Sequence, residues 1–514
     1  MAPFSVADNA WIHVQVRTDA PPDQLTDLLP GATPGTVHMT GLRGVFLAAH
    51  LIEELVEPYP PIESMIRRHL AALTARITGL DTATGWTRKR QTVLHQGKFD
   101  PDTVNTYFDA WADRMLLQHP ERPWLQDPRL EQECGDPAWA ARIDPTRPSG
   151  NNAWWGNTIP AEQPIPVSQV PGWLLVWHGY APAGLGSRRT HGGHTKGSAK
   201  ASPYRGFVSA FPSVGGDFFA TLVVSIPSPQ YWPSSDGGTD YAPWESPDLP
   251  NPLDPDPPYG VVSLLTARTT QAVMISPDAA GDARKVWVAW GSEDDLPEAT
   301  DPYLIPRSES GPVRAVHGTA AWREMLAFLK PETARGKLTV YRPTALSSAT
   351  DLPDDLCSRV GVRIVSWDQD RQDRNRAWWT EDLPGIMAYC QEADPEKASR
   401  AERALLALSL TGSALGTALA GTWHVVYPDR KSDERKHLLW PATQAYYREV
   451  EEHLWKVLED DSYSAPWRRI AQDVFHRHVR SVAYHPHHLA AAARASAKMN
   501  VKTAVKKKKE KAGD

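Results

Sequence analysis

The stretch ALLALSLTGSALGTALAGTW, residues 404–423, decides how the C-terminal part of this chain folds. It carries no charge, is long enough to cross a membrane as a helix, and spaces Gly412 and Gly416 as a membrane-helix dimer motif would. Hydroxyl side chains dilute the run, however, and no aromatic belt marks both of its ends. The pattern therefore favours a buried helix of a bundle over a membrane span.

Helical patterning continues on the C-terminal side of this run. Apolar side chains recur every three or four residues in AYYREVEEHLWKVLED (445–460) and in WRRIAQDVFHRHV (467–479), and an alanine-rich segment spans 488–503. Four such helices bury their apolar stripes most simply as a four-helix bundle. We therefore predict a C-terminal four-helix bundle over 385–503 and a basic, disordered tail over 504–514.

Before residue 384 the chain mixes helical and strand patterns. Helical spacing covers 42–78 and 100–119, whereas short apolar runs alternate with Gly/Pro loops from about 145 to 385. The best strand candidates are WLLVW (173–177), FFATLVVSI (218–226), KVWVAW (285–290), KLTVYR (337–342), GVRIVSW (361–367) and RAWWTED (376–382). The last two bracket a polar tip and predict a hairpin. The fold class is therefore α+β, with a large mixed α/β N-terminal domain over 1–384 followed by the bundle.

Composition limits the class of protein. The chain has 514 residues, 41% hydrophobic content and a net charge of −6, so nucleic-acid contacts must come from local basic segments. Three scattered cysteines argue against a disulfide framework, and the N-terminus shows no secretory signal pattern. We expect a cytoplasmic protein with no membrane association.

Three segments combine positive charge with polar or backbone-exposing residues. GLGSRRTHGGHTKGSAKAS (184–202) contains five glycines and no acid, and glycine lets a backbone approach a groove or a phosphate closely. Solvated loops and faces are the alternative, but together these segments favour nucleic-acid binding. The candidate residues are Arg188, Arg189, Lys196 and Lys200 in the glycine-rich segment, Arg371, Gln372, Arg374 and Asn375 at the hairpin tip, and Arg494, Lys498 and Lys502 on the last helix.

Patterns for catalysis are weak. GGHTKGS (192–198) places its lysine before the glycine, which does not fit a P-loop, and Arg189 stands where a dinucleotide fingerprint needs its third glycine. His191 and His194 lie on a loop without a nearby carboxylate, and the histidines at 485, 487 and 488 surround a proline, so both groups favour structural or solvent-facing roles. We predict no catalytic residue, cofactor or metal. A metal-dependent hydrolase and a stand-alone nucleic-acid scaffold remain the alternatives.

A series of landmarks resembles one family. In chain order they are NAWIHVQV (9–16), HPERPWLQDPRL (119–130), SGNNAWW (149–155), APAGLGS (181–187) and VRSVAYHPHHLAAAARASAK (479–498). They resemble the CasA family, the large subunit of the type I-E CRISPR surveillance complex Cascade, with His13 standing where the family's opening strand usually has proline. The resemblance covers nearly the whole chain, and its most specific segment is 119–130.

The resemblance implies a non-catalytic subunit that works with the other Cascade subunits and the CRISPR RNA. Such a subunit recognises the protospacer-adjacent motif on double-stranded DNA, promotes strand opening and R-loop formation, and helps to recruit a nuclease-helicase. Gly184, Gly186 and Ser187 would then form the family's DNA-reading glycine loop. The remaining roles implied are a cationic finger at Arg284 or Lys285, a wedge with Gln372 inserted, phosphate contacts from the last helix, and guide-handle or subunit contacts from Asn151, Asn152, Trp154 and Trp155.

Overall fold

The computed structural model divides the chain into two compact units. It describes residues 3–147, 160–233, 237–293, 295–309, 311–335, 338–370, 375–460 and 462–499. The first unit comprises Met1–His317 and Ala327–Ala388, and the second comprises Gly318–Leu326 and Tyr389–Asp514. The segment 318–326 groups with the helical unit although it lies far from it in sequence, which no sequence pattern predicted.

The strands lie in the first unit and pair antiparallel throughout. They are β1 (Ile12–Val16), β2 (Val37–Thr40), β3 (Ile52–Leu55), β4 (Ala138–Trp139), β5 (Gly184–His191), β6 (His194–Ala199), β7 (Val208–Val214), β8 (Gln271–Pro277), β9 (Ala283–Trp290), β10 (Glu332–Arg335), β11 (Leu338–Tyr341), β12 (Val360–Gln369) and β13 (Asn375–Leu383). Among the described residues they form small sheets in the orders β2-β1-β3, β4-β9-β8 and β13-β12-β7 and the pairs β5-β6 and β10-β11. Each sheet of the described residues has at most three strands, and helices contribute more of the buried core residues than strands do.

Among the described residues, most helices before residue 390 have 11 residues or fewer, with one of 19 residues over 60–78, whereas the four helices after it have 14 to 32 residues. They are α1 (Pro22–Leu28), α2 (Leu42–Leu47), α3 (Pro60–Thr78), α4 (Trp86–Gln96), α5 (Pro101–Ala110), α6 (Leu130–Glu133), α7 (Val170–Tyr180), α8 (Phe218–Val224), α9 (Val261–Thr266), α10 (Leu326–Leu329), α11 (Thr344–Ser347), α12 (Asp354–Cys357), α13 (Pro395–Val426), α14 (Ser432–Glu459), α15 (Trp467–Arg480) and α16 (Pro486–Met499). The prediction of an α+β fold, with a mixed N-terminal part and a helical C-terminal part, is confirmed.

Helix α3 is the centre of the first unit's core. Nearly all of its side chains are buried, and α7, α8, α9 and β12 pack around it. Arg68 is fully buried there, pairs with Asp301 at 3.3 Å and lies 4.0 Å from the centre of the Tyr204 ring. A buried charge needs such partners, since an unpaired one is expelled to solvent or neutralised.

Several sequence-based assignments were wrong. The runs 173–177 and 218–226, predicted as strands, belong to α7 and α8. Almost every side chain of both helices is buried, so their sequences show no polar face and periodicity cannot separate helix from strand. The segment 42–78 is interrupted by strand β3, and the helix predicted over 100–119 ends at Ala110. The hairpin at 361–382 and the strands at 285–290 and 337–342 are confirmed.

Helix α13 contains the uncharged apolar run over 404–423. It is long and apolar enough to cross a membrane by length and composition alone, but within the second unit it packs against α14, α15 and α16. Its buried residues include Leu405, Leu408, Leu415 and Leu419. A side chain at Gly412 would lie 2.8 Å from the Tyr447 hydroxyl, so this glycine permits close packing of α13 on α14. The run is thus a bundle helix in the structure.

Candidate nucleic-acid interface

The glycine-rich segment that was predicted to be a loose loop forms the β5–β6 hairpin. Leu185 and Arg189 both pair with β6, at Ser198 and Lys196, so three residues of β5 stand opposite one residue of β6. These three, residues 186–188, leave the regular ladder as a bulge, which we call the glycine bulge. It contains Gly186, Ser187 and Arg188, so part of the predicted glycine loop lies outside the regular pairing of the hairpin.

One end of the glycine bulge rests on strand β9. A side chain on Gly186 would lie 2.5 Å from the carbonyl oxygen of Val288, closer than atoms approach in proteins. Gly184, just before the bulge, has φ +153 and open space around its Cα, so glycine there serves the backbone conformation instead. Glycine is therefore needed at the two positions for different reasons: the backbone conformation at Gly184 and close packing on β9 at Gly186.

Arg189 holds the other end of the glycine bulge and does not face solvent. Its side chain is fully buried, and its guanidinium donates to Asp127 Oδ2 at 2.9 Å, Glu133 Oε2 at 2.6 Å and the Trp290 carbonyl at 3.0 Å. The prediction that Arg189 contacts phosphate is therefore wrong, because the side chain returns to the protein interior where the bulge ends. Burial raises the pKa of Asp127, but hydrogen bonds from Arg129 and the nearby charge of Arg189 outweigh it and lower that pKa overall.

Lys196, Lys200, His191 and His194 in and beside the hairpin have partners as well. Lys196 Nζ donates to the Glu293 carbonyl at 3.2 Å, and Lys200 pairs with Asp295 at 2.9 Å on the surface. His191 and His194 lie 2.6 and 3.2 Å from the carboxylates of Glu133 and Glu293, so the expectation that they lack a nearby carboxylate was wrong. Among the described residues, no group of three or more His, Cys, Asp or Glu side chains is placed to hold a metal ion.

Arg188 and Arg284 are the exposed cations of this region. Both side chains face solvent, and neither has a hydrogen bond or ion pair with any described residue. Lys285, the other candidate for the cationic finger, lies on β9 beside Arg284, but its ammonium group sits 3.3 Å from the centre of the Trp139 ring. Neighbouring residues of a strand face opposite sides of the sheet, so Arg284 points away from Trp139. Arg284 is therefore the finger candidate whose side chain has no hydrogen bond or ion pair with a described residue.

The predicted wedge is the β12–β13 hairpin, whose strands pair from Val362↔Leu383 to Gln369↔Asn375. Arg371, Gln372 and Arg374 at its tip lie outside the described residues. Asn375, also predicted at the tip, instead begins β13, and its Oδ1 accepts a hydrogen bond from Gln369 Nε2 at 2.8 Å. Asn375 thus stabilises the base of the tip.

Arg205 joins the two hairpins and was not predicted. It is 4% exposed, and its guanidinium donates to the Asp370 carbonyl at 2.6 Å and the Tyr180 carbonyl at 2.7 Å. Tyr180 ends α7 and precedes the glycine hairpin, whereas Asp370 precedes the tip of the β12–β13 hairpin. The structure therefore places the start of the glycine hairpin beside the tip end of the β12–β13 hairpin in the first unit, and β5 and β6 also pack on β9.

The segment 119–130 holds the glycine hairpin and the chain around 246–250 in place. Asp127 pairs with Arg189, while Arg129 donates to both Asp127 and the Pro250 carbonyl. Arg122 donates to the carbonyls of Ser246 and Pro247, so this segment also fixes the connection over 243–258, which contains seven prolines. The connection and the segment enclose a cavity of about 390 Å³. The acidic residues and arginines that lie close together in 119–130 are the sequence signal that could have revealed this anchoring role.

In the second unit, Arg494 and Lys498 are exposed one turn apart on α16. Neither has an ion pair with a described residue, and Lys498 borders a surface cleft of about 900 Å³ together with Arg468 and Arg469. Lys502 and the predicted handle-contact residues Asn151, Asn152, Trp154 and Trp155 lie outside the described residues. The α16 face therefore offers positive charge without a fixed geometry.

Comparison with solved structures defines the class of protein first: its fold is that of CRISPR-associated proteins. A structure described as a CRISPR RNA-guided surveillance complex matches with a TM-score of 0.81 and 27% identity, covering 97% of this chain and 100% of that chain. The Cse1 protein of Acidimicrobium ferrooxidans matches with a TM-score of 0.70 and 19% identity over 97% of each chain, which supports the fold alone.

The sequence identifies the family. The family described as CRISPR-associated protein Cse1 matches residues 29–495, and this chain belongs to it. The CasA/Cse1 protein of Thermus thermophilus is 30% identical over 252 residues, which span 48% of this chain and 43% of that relative. The resemblance to the CasA family is confirmed.

Proposed function

We propose that this chain is the non-catalytic, DNA-recognising large subunit of a type I-E Cascade complex in the cytoplasm. It works with the other Cascade subunits and the CRISPR RNA, and it recognises the protospacer-adjacent motif of double-stranded target DNA. Membership of the Cse1 family and the likeness to a CRISPR RNA-guided surveillance complex support this assignment. In such a complex guide pairing supplies the long sequence specificity, so the protein needs to read only a short motif.

The observation that carries the proposal is the glycine bulge. Its residues leave the hairpin ladder, Gly186 fixes one end against β9, and the buried Arg189 fixes the other. A backbone held in this way can approach base edges without reorganising when DNA binds. The minor groove offers a degenerate set of donors and acceptors, which suits a reader that tolerates several related motifs. Arg188 within the bulge supplies a phosphate contact, whereas Arg284 on β9 is the cationic finger at the motif.

Strand opening is assigned to the β12–β13 hairpin, with Gln372 as the inserted residue. Arg205 connects Asp370, directly before the tip of this hairpin, to Tyr180 at the start of the glycine hairpin, so a duplex read by the glycine bulge would meet the wedge nearby. Separating the strands next to the motif starts R-loop formation, because pairing with the guide extends from the motif outward.

Partner contacts complete the proposal. Arg494, Lys498 and Lys502 contact target-DNA phosphates, residues 151–155 contact the guide handle and a neighbouring subunit, and the chain helps to recruit a nuclease-helicase. A metal-dependent hydrolase gains no support, since the described residues contain no ligand cluster for a metal. A stand-alone scaffold differs from the proposal in one measurable property, because it would not co-assemble with a guide RNA and other subunits.

The test uses the complex assembled on its guide and two duplexes that differ only in the protospacer-adjacent motif. Arg188→Glu, Arg284→Glu and Gln372→Ala should each weaken binding of the motif-bearing duplex by about tenfold while guide assembly is unchanged. Lys285→Glu decides between the two finger candidates and should have a smaller effect, because this ammonium already contacts Trp139.

Arg88→Glu is the matched control, an exposed arginine on α4 without an ion pair to a described residue. It should leave the ratio of the two affinities unchanged. Equal binding of both duplexes by the unmodified complex, or unaltered discrimination in all three variants, would refute the assignment of motif recognition to this surface.

A further inference from the structure

Leu185 is exposed in a way that the fold does not explain. It is 80% exposed, the highest value among the large hydrophobic side chains of the described residues. A single exposed leucine is ordinary on a protein surface. This one, however, lies between Gly184 and Gly186, directly before the glycine bulge, so no neighbouring side chain on its own strand screens it.

The backbone that presents Leu185 is held firmly. Leu185 pairs with Ser198 on β6, and its carbonyl accepts a hydrogen bond from the guanidinium of Arg142. The next residue, Gly186, packs against β9, and Arg189 is buried four residues further on. Because the backbone is already ordered, covering this side chain costs only its rotamer freedom and no backbone freedom, which favours a role in binding.

The surroundings of Leu185 point to a duplex as the partner. The nearby carboxylates of Asp127 and Glu133 are engaged by Arg189, whereas the exposed guanidinium of Arg188 carries an uncompensated positive charge. Flanking glycines carry no side chain that would keep a bulky partner away. Proteins that bind the minor groove insert leucine or similar side chains between base steps while arginines hold the phosphates.

We propose that Leu185 is an apolar DNA-contact residue that enters the minor groove at the motif and packs against its bases. This inference rests on the proposed function and adds a side-chain contact to it. Backbone atoms of the glycine bulge would then read base edges while Leu185 covers an adjacent base step. Loosening that step beside the motif would aid strand separation by the neighbouring hairpin.

The test replaces Leu185 in the assembled complex. Leu185→Ser removes only an exposed side chain, so the thermal midpoint of the full-length subunit should not change. Affinity for the motif-bearing duplex should fall roughly tenfold, since covering a leucine contributes that much or more to binding. Affinity for the duplex without the motif should stay the same, and Leu185→Met should retain most of the wild-type affinity.

A second measurement reports on the bases themselves. With 2-aminopurine placed within the motif of a duplex whose protospacer does not match the guide, no R-loop opens beside the probe. The wild-type complex should then raise the fluorescence on binding, because the base loses its stacking partner to Leu185. Leu185→Ser should abolish that rise even at saturating protein. Met39→Ser, a change at an exposed apolar residue of β2 in the same unit, is the control and should alter neither measurement.

The outcomes separate this inference from the proposed function. If Leu185→Ser binds and unstacks like wild type while Arg284→Glu and Gln372→Ala lose discrimination, the Leu185 inference is overturned and the proposed function stands. If none of the three changes discrimination, both are overturned. If Leu185→Ser leaves DNA binding intact but impairs assembly of the complex, Leu185 contacts a protein subunit and the inference is again overturned.

Discussion

The two units of this chain treat their positive charges in opposite ways. Around the glycine hairpin most cations are committed: Arg189 is buried among two carboxylates, and Lys285 lies over an aromatic ring. On α16 of the second unit, Arg494 and Lys498 face solvent with no ion pair to a described residue. The buried ion pairs of the hairpin thus hold its backbone in place, whereas the cations of α16 are exposed and can contact a partner directly.

This difference separates two contributions to DNA binding. Phosphate contacts by exposed lysine and arginine are independent of sequence and weaken steeply with salt. Contacts from a fixed backbone depend on the base edges that they meet. We therefore expect changes in the hairpin to alter motif dependence, and changes on α16 to alter affinity for every duplex equally.

The largest effect should come from Arg189. Arg189→Gln removes a buried counter-charge from Asp127, which keeps Arg129, and from the half-buried Glu133, which keeps His191. Breaking a buried ion pair destabilises proteins by about 3–5 kcal/mol, and the remaining partners place the expected loss at the lower end of that range. Chemical denaturation of the full-length subunit measures this loss in the free energy of unfolding. Arg188→Gln, the adjacent exposed arginine, is the matched control and should stay within about 0.5 kcal/mol of wild type. Equal stability of the two variants would show that Arg189 is not an anchor.

A smaller effect concerns pH. The pKa of Asp127 is lowered in the fold, because hydrogen bonds from Arg129 and the charge of Arg189 outweigh its burial. A carboxyl with a lowered folded pKa contributes stability above its unfolded pKa of about 3.9, and this contribution disappears as pH falls through the lower, folded value. Asp127→Asn lacks the titrating group.

Thermal midpoints between pH 6 and pH 3 test this expectation. The wild-type chain should lose more stability on acidification than Asp127→Asn, although the variant is less stable at neutral pH. Asp19→Asn, which alters an exposed carboxyl paired with Arg17, serves as the comparison on the surface. Parallel curves for wild type and Asp127→Asn would contradict the ion-pair assignment.

The smallest effect should come from α16. Arg494→Ala and Lys498→Ala should each weaken binding of motif-bearing and motif-lacking duplexes by the same few-fold factor. Each should also reduce the slope of log affinity against log salt concentration by about one. Lys456→Ala is the control, since Lys456 pairs with Glu452 at 2.6 Å on α14. A change in motif preference from the α16 variants would remove the contrast between the two units.

Much of the fold could be predicted from sequence where one face is polar. The hairpin at 361–382 was predicted from two strand-like runs around a polar tip, and α14 and α15 from three- and four-residue spacing. Helices α7 and α8 were not predicted, because complete burial removes the periodicity on which such predictions depend. Burial also hid the role of α3, whose Arg67 and Arg68 side chains are buried in the core.

The candidate site could be predicted from the sequence less well than the fold. Arg188 and Arg189 are identical neighbours in sequence, yet one faces solvent and the other is fully buried. Nothing local separates them, because the difference arises from a bulge in β5 and from acids at Asp127 and Glu133, more than fifty positions earlier. Arg205 was missed for the same reason, since its partners are distant main-chain carbonyls.

The short segment Gly318–Leu326 has a practical consequence for dissecting the molecule. Its Trp322 ring packs 5.7 Å from that of Tyr447, and Arg323 lies 4.2 Å above the same tyrosine. A fragment that starts at residue 389 would lack this tryptophan and leave the tyrosine face of α14 uncovered. The helical module is therefore not encoded by one uninterrupted stretch of the gene, and grafting it onto another protein would require both pieces.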